Sequence, residues 1–138
     1  MRVLIAADKF KGSLTGQQVA EAIELGLRSA NFRSANAEID VHHCAVSDGG
    51  EGFLQAVEAA LSDVQRVTCS TVDPLQRPIE ASFLYQATRQ TAFVELAIAS
   101  GIQCLADGEL DPSKTTTRGT GLVTVSYTHL TLPTICSV

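Results

Sequence analysis

Basic charge is scarce in this chain. Ten Lys and Arg stand against fifteen Asp and Glu among 138 residues, a net charge of −5, whereas a nucleic-acid backbone or an anionic membrane is gripped by clustered Lys and Arg. Neither partner is expected, and any bound phosphate must be held locally. Cys44, Cys69, Cys104 and Cys136 are far apart with no CxxC spacing, so neither a zinc site nor a disulfide framework is indicated. His42, His43 and Cys44 are three potential ligands in a row, but successive strand residues point to opposite faces and cannot converge on one ion. The N-terminus lacks a basic segment followed by a long apolar stretch and a small-residue cleavage site; "MRVLIAADKFK" reads as a first strand meeting charge, and a cytoplasmic address is expected. The two loops richest in Gly and charge fit neither G-x-x-x-x-G-K-[ST] nor G-x-G-x-x-G.

What is present describes a soluble globular protein. Hydrophobic residues make up 45% and charged residues 18% of the chain, too apolar for disorder and too mixed for a membrane protein. Val3 to Ala7 is a continuous apolar run that suits a parallel strand. Thr15 and Gln18 fit a capping box, and Val19, Ala22, Ile23, Gly26, Leu27 and Ala30 recur at helical spacing. Ile39, Val41, His43 and Ala45 alternate with Glu38, Asp40, His42 and Cys44, the period of a second strand. "SDGGEG" then opens a second helix with Phe53, Leu54, Val57, Ala60 and Leu61 on its inner face.

The order strand, helix, strand, helix carries a functional expectation. Parallel strands joined by a right-handed crossover deliver their following loops to one edge of the sheet, where ligands of open α/β folds bind. "DKFKGS" and "SDGGEG" are therefore expected to face one cleft, each at a helix start that favours anions. Lys9 and Lys11 can neutralise phosphate or carboxylate oxygens, while Gly49, Gly50 and Gly52 allow close backbone approach. Asp8, Asp48 and Glu51 offer oxygens suited to magnesium. These are the parts phosphoryl transfer needs. The same residues, taken singly, also make plain helix starts and surface lysines.

Beyond these loops, Asp73, Pro74, Gln76, Arg77 and Pro78 form a turn cluster between Val64 to Val72 and Ile79 to Tyr85, which predicts an antiparallel pair. "TAFVEL" reads as a strand and "AIASG" as a short helix ended by Gly101, with Glu95 at the junction where a side chain can reach a cleft. Thr115 to Thr120 can bind an anion through hydroxyls and Arg118, or cap a helix; both readings stand.

The chain's opening, "MRVLIAADKFKGSLTGQQVAEAIELGLR", resembles the start of bacterial type-1 glycerate kinases. The resemblance continues through "VSDGGEGFLQAV", "VTCSTVDPLQRPIEASF", "AFVELAIASGIQCL" and "KTTTRGTGLV", covering Met1 to about Val123. Ala7 stands where the family usually has Pro, and Lys9 where it usually has Ser, which makes Lys11 the better candidate of the two lysines. The resemblance implies an α/β fold: the N-terminal part of a Rossmann-like parallel-sheet domain in residues 1–73, then the start of a second, inserted α/β domain in 74–123. It implies an ATP-dependent, magnesium-dependent kinase acting on a hydroxyl of glycerate, with Asp8, Lys11 and Asp48 catalytic and Asp48 also a metal ligand. Ser13, Gly49, Gly50, Glu51, Glu95, Thr116 and Arg118 would contact substrate or phosphate. The chain stops at about a third of the family's length, so this stretch alone is expected to be inactive; the alternative is a non-catalytic α/β module that binds a small carboxylate or nucleotide.

The last stretch departs from the pattern. From Gly119 to Val138 there is no Asp, Glu, Lys or Arg, helical periodicity is lacking, and Thr, His129 and Pro133 break any membrane span. Residues 124–138 are expected to be an artefactual tail foreign to the family.

Overall fold

The computed structural model describes residues 1–10, 12–30 and 39–131. Lys11, Glu38, Pro133 and Cys136 lie outside them, as does the side chain of Ala30. The chain is α/β and divides into two compact units, Met1–Asp48 and Gly49–Val138.

The first unit is a single strand, helix, strand crossover. Strand β1 (Arg2–Ala7) pairs in parallel with β2 (Asp40–Ala45), in a register that sets Arg2 opposite Asp40 and Ala7 opposite Ala45. Helix α1 (Gly16–Ala30) connects them. Its start is the reciprocal cap expected from the sequence: the Gln18 amide donates to Thr15 Oγ1 at 3.2 Å, and the Thr15 amide donates to Gln18 Oε1 at 2.9 Å. Gly16 lets that start press against the end of β1, since a Cβ there would stand 2.9 Å from the Ala7 carbonyl oxygen. Glu24 ties α1 to β2. Its carboxylate bonds Arg28 one turn on and His43 Nε2 at 2.7 Å, and these partners, Arg28 foremost, hold its pKa below the ordinary value against the opposing effect of desolvation.

The inner face of α1 is narrower than its sequence predicts. Val19 and Ala20 are buried with Ile5 and Ile39, and Leu27 is half-buried, but Ala22, Ile23 and Gly26 are exposed. The two described strands offer too little surface to cover a four-turn helix.

In the second unit, helix α2 (Phe53–Ala60) precedes an antiparallel sheet of β3 (Gln65–Val72), β4 (Pro78–Gln86) and β5 (Thr91–Phe93), in spatial order β3-β4-β5. Of the expected inner face of α2, Leu54 is buried and Ala60 is exposed. The β3–β4 connection is the predicted turn, and Asp73 builds it. Buried at 3% exposure, its carboxylate accepts the amides of Leu75 at 2.8 Å and Arg77 at 2.9 Å as well as the Arg77 guanidinium. Desolvation works to raise the Asp73 pKa; the backbone and side chain of Arg77 and the Leu75 amide outweigh it and hold the carboxyl below its ordinary value. The Arg77 guanidinium continues to Glu109 at 2.9 Å and to the Cys104 carbonyl at 3.0 Å.

Short helix α3 (Leu96–Ser100) ends at Gly101, as its sequence predicts, and helix α4 spans Arg118–Thr131. The core lies between the sheet and these helices: Ala81, Phe83, Ala99 and Val123 are buried, with Val67, Ile79, Tyr85 and Tyr127 packed on them. Each large apolar side chain removed from water contributes about 1.5–3 kcal/mol.

Helix α4 corrects the expectation of a non-helical stretch after Val123. Residues 124–131 continue the helix, and Tyr127 is built into the unit: its ring meets Phe83 edge-on at 6.4 Å, and its hydroxyl donates to the Gln90 carbonyl at 2.8 Å. The apolar partners of Tyr127 lie on β4, where sequence periodicity along the helix does not register them. Gly119 sets how closely α4 docks on β3. Thr71 Oγ1 donates to the Gly119 carbonyl at 2.7 Å, and a Cβ on Gly119 would overlap the Val72 carbonyl oxygen.

Two outcomes follow from this packing. Gly119→Ala should destabilise the second unit by about 1–3 kcal/mol in a denaturant titration, from overpacking. Gly121→Ala, where the added Cβ meets nothing within 4 Å, should be neutral or stabilising by up to about 1 kcal/mol. The second outcome concerns pH. A carboxyl whose folded pKa is depressed stabilises the fold above its unfolded value, here about 3.8, and that stability is lost as pH falls through it toward the folded value. Unfolding midpoints should therefore fall steeply below about pH 4, and Asp73→Asn should flatten that limb while lowering the plateau at neutral pH.

Candidate functional site

The parallel register fixes where the first two loops begin. Ala7 lies opposite Ala45 at the carboxyl ends of β1 and β2, so the segment opening at Asp8 and the segment running from Val46 to Asp48 leave the same sheet edge. Asp8 and Asp48 are both exposed there, which meets the expectation for their side of the fold.

The first loop is a tight turn. The Phe10 amide donates to the Leu14 carbonyl at 2.9 Å, and the Ser13 and Leu14 amides both donate to the Phe10 carbonyl, at 2.9 and 3.1 Å. Gly12, at φ +76°, takes the left-handed conformation that the reversal demands. Asp8 Oδ1 accepts the Lys9 amide at 2.7 Å, and Ser13 Oγ donates to the Phe10 carbonyl at 3.4 Å. Lys11, the lysine the sequence favours, lies outside the described residues.

The second loop enters α2 through left-handed glycines, Gly49 at φ +92° and Gly52 at φ +94°, and the Phe53 amide donates to the Gly50 carbonyl at 3.1 Å. Gly50 is half-buried and Glu51 exposed. Gly52 is the residue before the helix and offers no side chain to cap it. The cap comes from 43 residues away. Glu95, only 6% exposed, places Oε2 at 3.0 Å from the Leu54 amide and Oε1 at 3.3 Å from the Gly52 amide. Both carboxylate oxygens thus meet the partial positive charge at the start of α2. The sequence put Glu95 beside a ligand; the structure brings it to the loop's own backbone. A helix opening on a capless glycine was the signal that such a partner existed.

Thr116 and Arg118 sit at the start of α4. Thr116 Oγ1 accepts the Arg118 amide at 3.2 Å, the Thr116 amide donates to the Pro74 carbonyl at 2.9 Å, and the Arg118 guanidinium donates to Gln76 Oε1 at 3.2 Å. Thr116 Oγ1 thus meets the first amide of α4, as a helix cap would. An open pocket of about 560 Å³ adjoins it, bounded by Pro74, Ile102, Leu105, Asp111, Thr115 and Thr117. Among the described residues, no three His, Cys, Asp or Glu side chains converge as a metal site, and no helix is long and apolar enough to cross a membrane.

The sequence model of the glycerate kinase family matches residues 3–130. The chain belongs to the glycerate kinase family. It is 38% identical over 121 residues to the glycerate 2-kinase of Escherichia coli (strain K12), and 37% identical over 123 residues to the glycerate kinase of Bacillus subtilis (strain 168). Each alignment takes in 88% of this chain and 30% of the relative, so the chain spans about 30% of the length of the glycerate kinases it matches. A crystal structure provisionally assigned as a glycerate kinase 2 from Salmonella typhimurium LT2 superposes with a TM-score of 0.66 at 32% identity, covering 94% of this chain and 33% of that one. The α/β fold is therefore that of a solved relative, and the family match ends inside α4.

The backbone of the second loop offers a direct check. Gly52→Ala should destabilise the second unit by about 1–2 kcal/mol, because an L side chain at φ +94° is strained whatever space surrounds it. Gly26→Ala, at an exposed position in α1 with nothing within 4 Å, should instead raise stability slightly. Thermal denaturation of the two variants decides the matter.

Proposed function

We propose that this sequence is the N-terminal part of a glycerate kinase that transfers a phosphoryl group from ATP to a hydroxyl of glycerate, giving phosphoglycerate, in the cytoplasm. The observation that carries the reading is the family match across residues 3–130. The shared sheet edge of Asp8 and Asp48 supports it.

In this reading Lys11 neutralises charge on the transferred phosphoryl group or on the glycerate carboxylate. Asp8 or Asp48 takes the acceptor's proton, and Asp48 is also a magnesium ligand. The donor set suits that ion, since magnesium is commonly held by one or two carboxylates together with substrate phosphates. When bound, it would offset the negative charge of the phosphates. In the whole protein Ser13, Gly49, Gly50, Glu51, Thr116 and Arg118 would contact substrate or phosphate.

Phosphoryl transfer needs nucleotide, metal and acceptor held together within hydrogen-bond reach, and a chain of about 30% of the relatives' length should not achieve this alone. Residues 1–138 assayed with ATP, magnesium and D-glycerate should show no turnover. A chimera in which the matching residues of this chain replace their counterpart in the Bacillus subtilis kinase should be active. In that chimera Lys11→Ala should lower turnover by more than about tenfold; a loss within about threefold, under 1 kcal/mol of barrier, would remove Lys11 from the mechanism.

A further inference from the structure

We propose that Glu95 is a positioning residue for the glycine loop that enters α2, acting through the backbone and not by touching a ligand. The inference rests on the function proposed above for what the loop does, and on geometry alone for how it is held.

Three observations carry it. First, Gly49 and Gly52 are both at positive φ, and glycine there gives the loop freedom to leave this conformation as easily as to enter it. Bonds to that backbone help select the observed shape. Second, α2 has only eight residues and no side-chain cap of its own, so its first turn has little intrinsic stability. Third, the Glu95 carboxylate reaches the amides of Gly52 and Leu54 together, at 3.3 and 3.0 Å, while 94% of the residue is withdrawn from solvent. A buried carboxylate is costly unless hydrogen bonds satisfy it, and it is bound most tightly where those donors are fixed. Gly52 is the last residue of the loop and Leu54 the second of the helix. Two bonds from one rigid group therefore fix the Gly52 peptide relative to α2 and select its positive φ.

The placement of Glu95 makes it a strong clamp. It is the residue immediately before α3, and α3 contributes buried Ala97 and Ala99 to the unit. The carboxylate is thus anchored in the packed part of the second unit, and it holds the loop with the rigidity of that core. A side chain used this way should govern the rate of the chemical step, through the placement of Gly49, Gly50 and Glu51, more than the affinity for substrate.

Glu95→Gln tests this with little change of shape. A carboxamide has one acceptor oxygen, and its NH₂ would face the second backbone amide donor to donor. In residues 1–138, Glu95→Gln should speed hydrogen exchange at the Gly52 and Leu54 amides by about tenfold or more, while amides of β3 and β4 keep their protection. In the Bacillus subtilis chimera the same variant should lower kcat between about tenfold and a hundredfold, with KM for glycerate and for ATP within about threefold. Glu95→Ala should do the same more severely, and if it fails to fold, Glu95→Gln still decides. Unchanged exchange at Gly52 and Leu54 overturns the clamp. A raised KM at constant kcat, with exchange unchanged, assigns Glu95 to direct substrate contact instead. A parent chimera that turns over no glycerate overturns the proposed function and, with it, the part of Glu95 in catalysis, while the exchange result still decides whether the clamp exists.

Discussion

A buried carboxylate facing the open end of a helix organises the second unit. Glu95 is only 6% exposed, and burying its carboxyl group without hydrogen-bond donors would be costly, just as the amides at the start of α2 would be left unsatisfied without an acceptor. Each removes the other's penalty. The consequence reaches function, because the start of α2 is the place where sequence reasoning expects a ligand anion, and the chain supplies its own. The amides of Gly52 and Leu54 are engaged by Glu95.

The first unit obeys a different constraint. Parallel pairing with Ala7 opposite Ala45 forces the loop after β1 and the segment after β2 out at one edge, and Gly16 lets α1 start hard against the end of β1. That arrangement brings two carboxylates, Asp8 and Asp48, to the same side of a βαβ crossover. It is a sparse set of groups for phosphoryl transfer. The phosphoryl transfer proposed for them rests on the family match.

Local signals in the sequence were faithful to the structure. The apolar run before Asp8, the Thr15–Gln18 box, the turn at Asp73 to Pro78 and the stop at Gly101 all act within a few residues, and each appears as written. Features set at long range were not legible. Ile23 has the spacing of a core residue but is 43% exposed, since the described sheet of its unit has only two strands. "TAFVEL" yields a strand of only three residues, because Val94 and Glu95 turn away toward α3. The helix through Tyr127 is fixed by contacts to Phe83 and Gln90, and a stretch without charge or periodicity gives no hint of them. At the candidate site, the sequence located the loops and the acidic residues on them. It missed which group holds the second loop, since the bond between Glu95 and Leu54 spans 41 residues.

The bond from the Leu54 amide to the Glu95 carboxylate can be observed directly. A long-range HNCO spectrum of labelled protein detects scalar coupling across a hydrogen bond. At 3.0 Å the Leu54 amide should show a cross-peak to the Glu95 side-chain carboxyl carbon, and Gly52 a weaker one. Strong intrahelical or solvent-exchange behaviour at Leu54 with no peak to Glu95, in a spectrum that resolves other side-chain acceptors such as Asp73 with Leu75, would contradict the account.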